Sequence, residues 1–218
     1  MSEGKCLYKA DVSANSVGCI AFNEFSGLKW ETKSVDLMKG ETRTPEFLAM
    51  NPLHICPTLK INKDLSIWES NAILRYMGSS SKKAYPENIE QRAWVDTMLD
   101  YRQCNFYPKV STVCYGFLGF RKPGSEEEVK KGKAALEAEI KQFGDAFLKE
   151  GKFMGGFAEP TIADFSMISA IEFAKVIKGL KWEKSVEEYY ERFNKAVPGF
   201  AKGAAICRGY VKSCYDKQ

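Results

Sequence analysis

The chain has 218 residues, of which 44% are hydrophobic and 28% charged, with a formal net charge of +4. That length and apolar content are enough for one large or two modest buried cores and exclude a disordered chain. The basic residues are scattered; the Lys130, Lys131 and Lys133 group directly follows Glu126, Glu127 and Glu128, the pattern of a solvated helix face and not of a nucleic-acid-binding patch.

Residues 5–10 read as a short strand. Over 16–25 the apolar residues Val17, Ile20, Ala21 and Phe25 recur at helical spacing, and Gly27 is placed to end that helix. Residues 28–35 alternate as a second strand. At 45–50 Pro45 opens one helical turn, which Asn51-Pro52 breaks. Brief strands at 58–61 and 65–67 flank the polar turn Asn62-Lys63-Asp64, the spacing of a hairpin, and a helix follows over 68–77. Strand, helix, strand, short helix, strand, strand, helix is the order of a small mixed sheet with helices packed on it. The stretch 78–86, GSSSKKAYP, has the composition of a linker. Beyond it strand signals disappear and helical patterns run over 89–120, 125–150, 161–178 and 185–195. The expected organisation is therefore an α/β domain at 1–77, a linker at 78–87 and an all-α domain at 88–218. There is no internal repeat and no low-complexity tract.

Seven cysteines, Cys6, Cys19, Cys56, Cys104, Cys114, Cys207 and Cys214, form an odd set without a CxxC pair, and His54 is the lone histidine. Reduced thiols and no metal site are expected. The amino terminus lacks a basic region followed by an apolar stretch, and no apolar run is long enough to span a bilayer, so a cytoplasmic location and no membrane partner are expected.

One pair of segments is more specific than the order of elements. The run Asn51-Pro-Leu-His-Ile-Cys-Pro-Thr-Leu59, followed by Trp68-Glu-Ser-Asn-Ala-Ile-Leu-Arg-Tyr76, resembles the cytosolic glutathione transferases, and Gly40-Glu-Thr-Arg-Thr-Pro-Glu-Phe-Leu48 matches the neighbouring region. The resemblance implies a thioredoxin-like glutathione-binding domain followed by a helical domain that supplies the co-substrate site. It also implies that the Cys56-Pro57 bond is cis, that Cys56 offers its backbone to the cysteinyl part of glutathione, and that Glu69 and Ser70 hold the γ-glutamyl group. His54, as in delta-like and theta-like members, is implied to reach the glycine carboxylate. A helix start at Glu69-Ser70 suits a carboxylate physically, because free N–H groups and the positive dipole end lie there.

The segment Tyr8-Lys-Ala-Asp-Val-Ser13-Ala-Asn-Ser16 is similar to the serine-type members, which makes Ser13 the implied catalytic residue, with Tyr8 as the rival and Ser16 in the capping position of the first helix. The chemistry asks only that the thiolate of glutathione be favoured. A free thiol of pKa about 8.5 is a few per cent ionised near neutral pH, and one hydroxyl donating to the charged sulfur contributes about 1.5–3 kcal/mol, roughly one or two pKa units. Val17, Asn71 and Thr42 depart from the serine-type pattern at places where arginine, arginine and histidine are frequent.

In the second half, Thr161-Ile-Ala-Asp164 resembles the family's capping box, in which the threonine hydroxyl and the aspartate carboxyl each bond a helix-start N–H. Phe106, Tyr107, Val110, Cys114, Tyr115 and Phe117 offer either a co-substrate wall or plain core. The expected function is glutathione transfer to small hydrophobic electrophiles in detoxification, by a homodimer that uses glutathione as co-substrate and no other cofactor. The alternatives are a glutathione-dependent peroxidase or isomerase, and a non-catalytic binding or assembly module such as the amino-terminal part of elongation factor 1 gamma.

Overall fold

The computed structural model describes residues 4–217. Strand β1 (Cys6–Lys9) has both faces covered, which is why its three leading residues are apolar without alternation: Leu7 is fully buried on one side, Cys6 and Tyr8 nearly so on the other. Helix α1 (Ala14–Ser26) follows and ends where expected, at Gly27 with φ 77°. Strand β2 (Glu31–Ser34) pairs in parallel with β1 at the sheet edge, with all its residues exposed. It is shorter than the expected 28–35. Asn23 of α1 binds both backbone groups of Trp30, at 2.9 and 3.0 Å, and so ties the start of that segment to the helix instead of the ladder.

Thr44 caps α2 (Pro45–Met50) by accepting the Phe47 N–H at 3.3 Å. Strands β3 (Thr58–Lys60) and β4 (Ser66–Trp68) form the hairpin, and β3 lies antiparallel to β1, so the sheet order is β2-β1-β3-β4. Helix α3 (Ser70–Ser81) extends through residues 78–81 of the expected linker.

Asn88 caps α4 (Ile89–Tyr101) through the N–H groups of Glu90 and Gln91. The single helix expected over 89–120 is interrupted by a π-helical segment, Arg102–Phe106, before α5 (Tyr107–Phe117). Pro108 has no N–H to return to the carbonyl four residues back, and the Tyr107 N–H reaches instead to Arg102 O, widening the turn. Helix α6 (Glu126–Phe147) opens on a capping box between Ser125 and Glu128, and its Lys131 pairs with Glu127 at 2.7 Å on the exposed face, as the charge pattern implied. Every residue of α7 (Ile162–Ala174) is buried. Helices α8 (Lys184–Ala196) and α9 (Phe200–Tyr215) complete the chain. Helix α9 was not anticipated. Its buried residues Phe200, Ala204, Cys207 and Val211 do have helical spacing, but Gly203 and Gly209 dilute the signal.

The α/β half and the helical half share one core that runs from Leu7, Phe22 and Leu59 to Phe193 and Val211. Phe165 of α7 is its hub, edge-on to Phe22 at 5.1 Å and to Phe193 at 5.0 Å between ring centres. Cys6, Tyr8 and Phe47 pack as a smaller cluster on the other face of the sheet. Among the described residues no helix is long and apolar enough to cross a membrane.

Candidate functional site

Strand register decides which loops meet. Tyr8 stands opposite Thr58, and Thr58 opposite Trp68. The exit of β1, the entry of β3 and the exit of β4 therefore lie at one end of the sheet. That brings the loop leading to Ser13, the Cys56-Pro57 segment and the Glu69-Ser70 segment together, although they are distant in the chain. Lys9 and Ser34, paired across β1 and β2, stand at the same end, and Asp11 there accepts from both: from Ser34 Oγ at 2.8 Å and from Lys9 in an ion pair. The Asp11 carboxyl sits below its ordinary pKa, because these hydrogen bonds outweigh the partial burial that opposes them.

Ser13 is the residue that precedes α1, with φ −99° and ψ 120°. Its N–H returns to Ala10 O at 3.0 Å, and the Ala10 N–H bonds Ser16 Oγ at 3.2 Å. This tight loop starts the helix at Ala14, earlier than the spacing suggested, so the capping position belongs to Ser13. Ser16 lies buried inside the first turn. The Ser13 side chain is partly exposed and makes no capping bond, so among the described residues its hydroxyl is uncommitted at the positive end of a 13-residue helix. The rival Tyr8 turns its ring to the opposite cluster, edge-on to Phe47 with ring centres 6.0 Å apart.

The 51–58 loop is organised by a residue that sequence reasoning treated only as a breaker. Asn51 is fully buried. Its Nδ2 donates to Ile55 O at 3.1 Å and to Thr58 Oγ1 at 2.8 Å, while its Oδ1 accepts the Leu53 N–H at 2.9 Å. The Thr58 hydroxyl donates in turn to Ile55 O at 2.9 Å. Within that frame His54 takes φ 46°, with its N–H on Asn51 O at 3.0 Å, and the Cys56-Pro57 bond is cis. Burial pushes the Cys56 thiol up to about 12, so that it stays protonated and leaves the backbone as its useful part.

Glu69 precedes α3 with φ 67°, ψ 112°, a conformation that L-residues rarely adopt, and its side chain is exposed. Ser70 begins the helix and is 8% exposed. Its carbonyl accepts from Cys19 Sγ, in the second turn of α1, at 3.6 Å, a direct tie between α1 and the start of α3. Asn71, the departure after Glu69-Ser70, faces the helical half. It donates to Leu99 O at 2.8 Å and accepts from Ser166 Oγ at 2.7 Å.

Of the apolar set on α5 and its approach, Phe106, Val110 and Cys114 are fully buried core, and Tyr107 nearly so. Tyr115 and Phe117 are half-buried. Tyr115 shares a hydrogen bond with the Tyr107 hydroxyl at 3.2 Å, and Phe117 lies edge-on to Tyr215 of α9 at 5.2 Å. Helix α9 reaches the Ser13 loop itself, where Cys207 Sγ donates to Val12 O at 3.4 Å. All seven cysteines are free.

A family profile described as the glutathione S-transferase N-terminal domain matches residues 6–79. Three of the solved structures that share the fold over nearly the whole chain serve as examples. A delta-class glutathione transferase of Nilaparvata lugens is 22% identical, with a TM-score of 0.82 over 96% of this chain and 99% of that one. A glutathione transferase homologue of Drosophila mojavensis, solved with bound glutathione, is 23% identical, with a TM-score of 0.85 over 100% and 98%. Human glutathione-S-transferase T1-1 in its apo form is 22% identical, with a TM-score of 0.84 over 98% and 97%. At such identities the likeness of the structures speaks for the fold.

Proposed function

Starting from a chain that carries a glutathione S-transferase N-terminal domain and takes the glutathione transferase fold throughout, we propose that this protein conjugates glutathione to small hydrophobic electrophiles. The carrying observation is the register row Tyr8–Thr58–Trp68, which sets the Ser13, Cys56-Pro57 and Glu69-Ser70 segments at one sheet end. In this reading the backbone of Cys56, ahead of Pro57, pairs with the cysteinyl part of the tripeptide. Ser70 and the free N–H groups of the α3 start take the γ-glutamyl carboxylate, Glu69 its amino group, and His54 the glycine carboxylate.

The Ser13 hydroxyl donates to the sulfur. Its lack of a competing partner supports that role, and so does the burial of the Tyr8 ring against Phe47. The thiol gives its proton to solvent, the thiolate attacks the electrophilic carbon, and the leaving group departs with the bonding pair. Holding both reactants in one cleft contributes further. The half-buried Tyr115 and Phe117 are the apolar wall for the electrophile. A cytoplasmic homodimer is part of the same proposal, and the free thiols support the reducing compartment.

The test is titration of the thiolate absorbance of bound glutathione, together with conjugation of an aryl halide. Ser13→Ala is expected to raise the bound thiol's pKa by about one unit or more and to lower turnover near neutral pH. An unchanged pKa would move the role to Tyr8 or Ser16. Glutathione binding without turnover would make the protein a binding module, and indifference to glutathione an assembly module.

A further inference from the structure

Arg102 has no place in the chemistry just described. It is fully buried in the π-helical segment, and its partners are all neutral. Nη1 donates to Gln103 Oε1 at 2.9 Å and Nη2 to Asn15 Oδ1 at 2.7 Å; the guanidinium carbon lies 4.0 Å from the centre of the Tyr107 ring; Nε has no partner among the described residues. The acidic groups close enough to act on it among the described residues are the phenols of Tyr107 and Tyr115 and the thiol of Cys19, with no carboxylate among them. Burial draws its own pKa down, but a guanidinium stays protonated in proteins. A buried ion with no counter-charge is strongly unfavourable unless an anion arrives to offset it.

Asn15 shows where that anion would sit. It belongs to the first turn of α1, just past Ser13, and is only partly buried. A guanidinium has donors and no acceptor, so it must take the amide oxygen of Asn15, and the amide NH2 is thereby turned to the other side. That NH2 makes no hydrogen bond among the described residues and is not an enclosed, unsatisfied atom, so it is open to a ligand. The cation on the oxygen side makes it a stronger donor.

We propose that Asn15 is a second donor to the anion at the start of α1: its side-chain NH2 bonds the sulfur of bound glutathione beside Ser13, and Arg102 is the positioning residue that orients the amide and supplies the positive charge facing the thiolate. The inference rests on the glutathione reading above. It also explains a fully buried arginine that reaches across 87 residues of sequence to a helix start. After transfer the sulfur is a neutral thioether, so this attraction ends with the reaction and product release is favoured.

The test titrates the bound thiolate in the full-length protein carrying Asn15→Ala, Asn15→Asp or Arg102→Met. Asn15→Ala is expected to raise the thiol pKa by about one unit. Asn15→Asp keeps an oxygen on Arg102 but loses the NH2 and adds a negative charge, so its rise is expected to be larger while its denaturation midpoint holds or increases. Arg102→Met is expected to raise the pKa without loss of stability, because it removes an uncompensated buried ion. Should it fail to fold, Asn15→Asp carries the test alone. If both Asn15 variants keep the wild-type thiol pKa while Ser13→Ala shifts it, this inference falls and the glutathione reading stands. If the wild type shows no thiolate signal at saturating glutathione, both fall.

Discussion

Asn51 uses each arm of its amide inside the protein, on Ile55 O, Thr58 Oγ1 and the Leu53 N–H, so the whole approach to Cys56 hangs on one side chain. Asn51→Ala removes three hydrogen bonds from a fully buried position: the Leu53 N–H loses its partner, and Thr58 Oγ1 and Ile55 O keep only each other. The expected loss is about 2–3 kcal/mol in chemical denaturation, accompanied by a rise in the KM for glutathione that exceeds any fall in kcat, because the loop proposed to bind the tripeptide is loosened and the hydroxyl at α1 is not. The KM-against-kcat split is the decisive measurement. Glu69 illustrates the opposite case, a non-glycine residue held at φ 67°. Conformations of this kind cluster where a ligand is held, which agrees with the role proposed for the α3 start.

At the scale of elements, α7 depends on one carboxylate. Asp164 accepts the Thr161 N–H at 2.6 Å, the Thr161 hydroxyl at 2.9 Å, the Met154 N–H at 2.9 Å and the Tyr189 hydroxyl at 2.8 Å. The capping box expected from Thr161-Ile-Ala-Asp164 is thus formed, and the Thr161 hydroxyl also donates to the Asp164 carboxylate. Complete burial pushes the Asp164 carboxyl up to about 6, against the pull of its four donors. A carboxyl that holds its proton more tightly folded than unfolded adds stability that is complete below about pH 4 and disappears as pH rises through about 6. The stability difference between wild type and Asp164→Asn is therefore expected to grow, by up to about 3 kcal/mol, as pH falls from 7 to 4. Denaturant melts at both pH values check it, and a difference that shrinks would refute it.

At the scale of the molecule, the two halves meet where α1 crosses α7. A Cβ on Gly18 would lie 2.6 Å from Phe165 O, a backbone atom of a wholly buried helix that cannot give way. Gly18→Ala is expected to destabilise the protein by about 3 kcal/mol, although alanine is the better helix former, and to lower the unfolding of both halves together. Two separate transitions with only the first displaced would disprove this coupling. Asn71 crosses the same boundary, from α3 to Leu99 and Ser166, so the residue that departs from the arginine of the resemblance joins the halves.

Much of this was legible in the chain. The 3.6-residue spacing of Val17, Ile20, Ala21 and Phe25, the stop at Gly27, the hairpin around Asn62-Lys63-Asp64 and the Asn51–Leu59 and Trp68–Tyr76 segments depend on near neighbours, and near neighbours are what a sequence displays. Strand register and the α1–α7 crossing depend on partners far along the chain, while the start of α1 at Ala14 and the turn that widens before Pro108 depend on hydrogen bonds of single polar groups and on a proline's missing N–H, not on apolar periodicity. Local spacing carries no information about those. The same holds for the candidate site: the resemblance singled out Ser13, Cys56 and Ser70, but their common sheet end, the framing by Asn51 and the Arg102–Asn15 pair exist only once pairing and burial have decided which side chains face one another.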